Sequence, residues 1–202
     1  MTKIKLNRIA SVRTGLVTAR KQAKGFDSDK SHSYRMLSLR CIKEPGIIDT
    51  GYAEPYTSKD NLKPDVLTKH GDILVRLSAP YTAALIDKET ENFVVPSHFA
   101  IIRVDEEKVD PAYVLWILRQ PSTLKQIYQN ASGTTAFGTI SSNFFGELPI
   151  NNLPIEKQRI IGELLKLSEK EQILLSNLMK AKSDLNKIAL QQAYKNFNRG
   201  RK

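Results

Sequence analysis

Asp65, behind Pro64, and the run Glu106-Glu107-Lys108 carry the residue types of a nuclease's carboxylate–lysine set, which would serve metal-assisted phosphodiester hydrolysis. The gap between them is long, and the second element reads as a turn after a strand, so solvated charges are expected instead. Gly133 and Gly138 have P-loop spacing, but Thr139-Ile140 stands where a Lys-Ser/Thr pair would contact phosphate and magnesium. An adenine methyltransferase needs an Asn/Asp-Pro-Pro-Tyr/Phe loop and a Gly-rich cofactor turn. Ala79-Pro80-Tyr81 is the nearest fragment and lacks the polar residue that holds the target amine. His32, His70 and His98 show no metal-ligand spacing, so no metal site is expected. Cys41 lies in an alternating apolar stretch and reads as a buried structural thiol rather than a nucleophile. Residues that could do chemistry are therefore present without the spacing that chemistry needs. The chain reads as a binding module, not an enzyme.

Charge indicates what it would bind. The net charge is +10, unevenly spread. Residues 1–43 hold 11 basic against 2 acidic residues, residues 44–150 hold 9 against 14, and residues 151–202 hold 11 against 5. A polyanion such as DNA is the natural partner of basic ends of this kind. No run of eighteen apolar residues exists, so no membrane span is expected. The start Met1-Thr2-Lys3-Ile4-Lys5 has no signal-peptide apolar core, and the single cysteine suits a reducing compartment. A cytoplasmic protein is the expectation.

The elements that must position these charges are mixed. Residues 6–15 read as a short helix or strand closing at Gly15, and residues 18–33 as a polar, basic loop around Gly25. The alternation over 34–42 predicts a strand with Leu37, Leu39 and Cys41 on one face. Turns fill 44–71, with a short strand near Tyr52. Strands are predicted over Asp72–Leu77, Ala83–Ile86 and Phe99–Val104. Asp110-Pro111 reads as a helix cap with proline in the first turn, and Pro121 separates this helix from a second. Residues 131–143 read as a small-residue loop, and 147–150 as a last strand. The predicted fold is α+β: a mixed, mainly antiparallel β domain over 1–152, then a single long helix over 153–202.

That helix has its own logic. Ile160, Leu164, Leu167, Glu171, Leu174, Leu178, Ala181, Leu185, Ile188 and Gln192 follow one another in alternating steps of four and three. This is the repeat of a coiled coil. Pro154 suits the helix start, with Asn152 as a cap, and Gly200 ends the run. In a parallel pair Glu171 would face its own copy. In an antiparallel pair Leu164 meets Ile188 of the second helix, Leu167 meets Leu185, Leu174 meets Leu178, and Glu171 meets Ala181 with Lys180 and Lys182 nearby. An antiparallel homodimer is therefore expected. The alternative is a helix folded back on its own domain. Ile161, Leu165 and Leu175 widen the apolar face, which leaves room for a further partner.

The order of these stretches resembles one half of the specificity (S) subunit of bacterial type I restriction–modification enzymes. Leu6 to Gly15 resembles the opening of that family's target recognition domain. Lys69-His70-Gly71-Asp72-Ile73-Leu74-Val75 resembles its Gly-Asp-Ile-Leu turn and strand, and Val95 to Arg103 its core strand. Asp110 to Leu118 resembles the helix that follows. Ile140 to Phe144, Leu148 to Ile150 and Leu153-Pro154-Ile155-Glu156-Lys157-Gln158-Arg159-Ile160-Ile161 resemble the exit into its long helix. The family's usual subunit has two recognition domains and two long helices. This chain has one of each, which suggests a half-subunit completed by homodimerisation.

The resemblance implies a non-catalytic subunit that binds double-stranded DNA and directs methyltransferase (modification) subunits to it. Those partners bind S-adenosylmethionine and methylate adenine, and restriction subunits join them; this chain holds no cofactor. It also implies a DNA face. Arg13, Arg20, Lys21, Lys24, Lys30 and Arg35 are the expected phosphate and base contacts, with Arg76 interrupting an apolar strand. Thr134, Thr135 and Phe137 of the small-residue loop offer hydroxyls and a ring for base edges. The competing reading is a helical adaptor that binds a partner without reading sequence.

Overall fold

The computed structural model of the chain describes residues 2–23, 31–132 and 138–199. Its strands are β1 (Lys3–Lys5), β2 (Ala10–Thr14), β3 (His32–Met36), β4 (Ile42–Lys43), β5 (Ile47–Ile48), β6 (Glu54–Ser58), β7 (Ile73–Arg76), β8 (Ala83–Leu85), β9 (Phe93–Val94), β10 (Phe99–Val104) and β11 (Pro149–Asn151). Its helices are α1 (Pro111–Leu118), α2 (Pro121–Asn130), α3 (Ser142–Glu147) and α4 (Ile155–Arg199). The chain divides into two compact units, 1–162 and 163–202. The first unit thus takes in the opening turns of α4, past the boundary at 152 expected from Pro154.

A four-stranded antiparallel sheet in the order β2-β10-β7-β8 forms the centre of the first unit. Phe99, Ala100, Ile101 and Ile102 of β10 are all fully buried, which accounts for an apolar run without alternation. On one face Phe99, Ile101 and Leu74 meet Leu37, Cys41, Ile86, Phe93 and Val95 in the main core. Helices α1 and α3 pack on β8 and β2. A second sheet has the order β6-β3-β9, antiparallel between β6 and β3 and parallel between β3 and β9. Tyr56, Leu62 and Val94 form a smaller cluster beneath it. Mixed α+β architecture with mainly antiparallel strands and a long C-terminal helix is what the sequence predicts.

The Gly-Asp turn before β7 is fixed by a buried charge pair. Gly71 takes φ +81°, where an L side chain is strained, and its N–H donates to the Ile86 carbonyl at 3.0 Å. Asp72 is fully buried. Its carboxylate accepts from the Lys69 N–H at 2.8 Å and from two Arg103 nitrogens, each at 2.7 Å. Arg103 also donates to the Leu67 carbonyl at 3.1 Å. One guanidinium therefore ties the turn, the preceding chain and β10 together with charge-assisted bonds.

The start of α4 is latched in the same way. Asp110 caps α1, accepting from the Tyr113 N–H at 2.9 Å. Its own N–H donates at 3.1 Å to the side-chain oxygen of Gln158, which is 1% exposed. The Gln158 amide nitrogen donates to the Leu153 carbonyl at 2.7 Å. Gly162, which lies inside α4 and which the heptad pattern passes over, has a packing reason. A Cβ there would collide with an Asp110 carboxylate oxygen and stand 3.0 Å from the Ala112 Cβ.

Four local expectations need correction. The strand predicted over 34–42 ends at Met36, and Leu39–Cys41 form a 3₁₀ turn. The Ser38 N–H donates to Cys41 Sγ at 3.3 Å, and the turn buries Leu37 and Cys41 as a strand would. The strand placed near Tyr52 is instead β6, because Thr50–Tyr52 form another 3₁₀ turn capped by Asp49. The loop predicted over 131–143 gives way to α3, which Ser141 caps by accepting from the Asn143 N–H. The helix start expected to use an Asn152 cap uses the Pro154 carbonyl, which accepts from Lys157 and Gln158, while the Asn152 N–H donates to Thr2.

Candidate nucleic-acid interface

The β3–β6 ladder carries basic groups at both ends. At one end His32 pairs with Ser58 in register, and the chain from Arg20 to Gln22 runs alongside. Lys21 donates to Asp60 at 2.7 Å and holds that carboxyl below its usual range. Arg20, in the turn Thr18–Arg20, is exposed. Lys24 and Lys30 fall outside the described residues. At the other end Arg35 lies opposite Pro55, with its guanidinium 4.7 Å from the Phe93 ring centre and donating to the Thr50 carbonyl at 2.8 Å. Five residues of extended chain span roughly 17 Å, so the ladder separates two basic groups rather than gathering one.

Arg13 and Arg76 belong to the four-stranded sheet. Arg13 on edge strand β2 is ion-paired with Asp65 at 2.8 Å. Lys108 pairs with Asp105 at 2.6 Å. Asp65 and Lys108, both singled out for nuclease chemistry, are thus drawn into separate surface pairs. Among the described residues no group of three or more His, Cys, Asp or Glu side chains is placed to hold a metal.

Arg76 is half-buried at the end of β7. It donates weakly to the Ala79 carbonyl at 3.4 Å, and its buried Nε has no partner. Close by, His98 has a buried Nε2, also unpartnered. Burial pushes the His98 pKa down, and the Arg76 charge adds to this. The same region anchors the small-residue loop. Ser78 and Ser132 both bridge to Thr139, and the Tyr81 hydroxyl donates to the Gly138 carbonyl at 2.8 Å. Thr134, Thr135 and Phe137 lie outside the described residues.

Sequence reasoning missed a further group. Arg40, Lys43 and Tyr52 line one open depression together with Arg76. Lys43 Nζ is 4.6 Å and the Arg40 guanidinium carbon 5.7 Å from the centre of the Tyr52 ring. Arg40 and Lys43 were visible as basic residues of the first 43, but Tyr52 sits in a turn-rich stretch that gave no reason to join them.

In the second unit α4 is exposed along its length. Leu164, Leu167, Leu174, Leu178, Leu185 and Ile188 of the heptad seam are between 52% and 65% exposed, and Ile160 in the first unit is 59% exposed. Glu171 and Ala181 are exposed on the same helix. No helix among the described residues is long and apolar enough to cross a membrane.

No family model and no curated protein matches the sequence. The fold does have solved counterparts. One is the HsdS subunit from Thermoanaerobacter tengcongensis, at a TM-score of 0.63 and 15% identity, covering 91% of this chain and 46% of that one. Another comes from a structure describing complex assembly and conformational transition of the type I R-M system, at a TM-score of 0.66 and 15% identity, with the same coverage of 91% and 46%. A third is the S subunit of a type I restriction–modification system from M. genitalium, at a TM-score of 0.54 and 17% identity, covering 89% and 41%. At these identities the likeness is one of fold. The chain spans somewhat under half the length of the solved chains it matches.

Proposed function

We propose that this chain is the DNA-recognition subunit of a type I restriction–modification complex, a half-length specificity subunit without catalytic activity of its own. The observation that carries the reading is the likeness of fold. About nine-tenths of the chain superposes on S-type subunits, and it accounts for somewhat under half of each. The basic groups at both ends of the β3–β6 ladder, and Arg76 at the end of β7, supply groups suited to phosphates and base edges.

Two copies joined through antiparallel α4 helices would bring together two recognition domains and two long helices. The exposed seam supports this arrangement, since apolar side chains on one face of a long helix gain most by facing a second helix. With Leu174 opposite Leu178, the two helix starts stand roughly 63 Å apart. That distance spans on the order of 15–20 base pairs. A two-fold dimer of this kind reads an inverted, two-part sequence with an unread gap. Methylation of adenine, with S-adenosylmethionine, is the work of the partner methyltransferase subunits.

The test is to replace the segment 18–35 and express the chain with its methyltransferase. The reading predicts that the methylated motif changes or disappears. An unchanged motif would remove that segment from the recognition surface. The purified chain should also bind duplex DNA in a salt-sensitive way, and no binding at low salt would count against the reading as a whole.

A further inference from the structure

We propose that the depression lined by Arg40, Lys43, Tyr52 and Arg76 is a phosphate-binding subsite, which holds one backbone phosphate of duplex DNA. This rests on the reading of the chain as a DNA-binding subunit and names a contact within it. The Tyr52 turn is braced from several directions. Asp49 caps it by accepting from the Gly51 N–H at 3.0 Å, and the same carboxylate takes Lys43 Nζ at 2.6 Å. Ser38 Oγ donates to the Tyr52 carbonyl at 2.9 Å, and Arg35 donates to the Thr50 carbonyl at 2.8 Å. The ring itself remains 42% exposed. A rigidly held, exposed aromatic ring with two cations over it fixes the positions of those cations as well as its own.

Two of the three cations, Arg40 and Arg76, are not consumed by the fold. Arg76 has no carboxylate partner among the described residues, and one of its donors is unmatched. Arg40 reaches Glu54 only at 3.9 Å, and its side chain is 74% exposed. Lys43 is paired with Asp49, and Glu44 is the one acid on the rim, so the depression keeps an excess of positive charge. Leu39 and Ile42 complete its lining.

Shape decides between the two kinds of DNA contact. Base edges lie at the floor of a groove and are read by side chains that protrude into it. Phosphates stand out from the duplex and fit a concave surface. Arg76 sits within a depression, half-buried, and cannot enter a groove. It can meet an oxygen that comes to it, with Arg40 and Lys43 closing from the rim. The exposed face of Tyr52 is then free to pack against the adjoining deoxyribose.

The experiment uses the full chain and a fluorescein-labelled duplex of random sequence, with anisotropy followed across a sodium chloride series. One variant combines Arg40→Gln with Lys43→Gln. A control combines Lys88→Gln with Lys125→Gln, which removes the same charge from exposed positions that do not line the depression. Losing the one phosphate contact should lower the slope of log affinity against log salt by roughly 1. Raising salt from about 50 to about 200 mM should then weaken the wild type about three- to fourfold more than the variant. Base preferences obtained by selection from a random pool should be unchanged. Arg40→Gln alone, at a largely exposed side chain, should lower the slope by roughly half as much and serves if the double variant does not fold. A variant indistinguishable from the control would overturn the proposal while leaving the DNA-binding reading in place. Altered base preferences would overturn it too, in favour of base reading. A wild-type chain that binds no duplex at low salt would remove both.

Discussion

The centre of the α4 seam offers the sharpest perturbation. Leu174 and Leu178 are 58% and 64% exposed in the single chain. Fully burying a leucine is worth about 1.5–3 kcal/mol, so covering the exposed six-tenths of each recovers about 1–2 kcal/mol. In the antiparallel register these two residues face each other across the two-fold axis, so one pair of substitutions removes four buried leucines. Leu174→Lys with Leu178→Lys should cost the dimer about 4–8 kcal/mol, before counting repulsion among four ammonium groups. That is roughly three to six powers of ten in dissociation constant. Lysine and leucine have similar helix propensities, so α4 itself should survive, which far-UV circular dichroism can verify. Multi-angle light scattering should find the wild type at twice the 22.8 kDa chain mass and the variant at the chain mass. A wild type already at the chain mass, or a variant that stays at twice that mass, would refute the seam.

The remaining predictions concern the compact unit. Asp72→Ala should destabilise it by about 3 kcal/mol in urea melts, near the low end for breaking a buried pair because Arg103 is 24% exposed; a loss below about 1 kcal/mol would show the pair to be dispensable. Gly162→Ala should cost about 1–3 kcal/mol despite alanine's better helix propensity, because its Cβ meets Asp110 and Ala112; greater stability would contradict the packing of α4 on α1. His98 has a folded-state pKa below 6.5, so the unfolded chain takes up its proton first as the pH falls, and stability should drop from about pH 6.5 downwards. His98→Gln should flatten this part of the profile, while the carboxylates lowered by lysine partners act only at more acidic pH. An unchanged slope between about pH 7 and about pH 5 would place the titration elsewhere.

Elements with an unambiguous period were legible from residues alone. The heptads marked α4 to its last turn, and the apolar runs marked β7, β8 and β10, because burial on both faces leaves no other reading of such runs. Errors arose where two local structures bury the same residues. Leu37 and Cys41 are as well buried by a 3₁₀ turn as by a strand, so alternation could not separate the two. The turn-rich stretch 44–71 hides a strand at 54–58 that contains Pro55, which is tolerated because β6 is an edge of its sheet. Ser141 was read as one more loop residue, although a serine before Asn143 and two phenylalanines is a helix cap. The basic residues of the proposed interface could be named, but not grouped. Arg13 and Lys21 are spent on Asp65 and Asp60, while Arg76 meets Arg40, Lys43 and Tyr52 only through the folding of distant segments.

The account stands or falls on two identical readers held apart by paired helices. The most direct measurement is sequencing of adenine methylation in a cell that carries this gene with its methyltransferase, compared with the same cell lacking the gene. The account predicts gene-dependent methylation at two identical half-sites, inverted and separated by a fixed run of unread bases. An asymmetric motif, or methylation that persists unaltered without the gene, would contradict it.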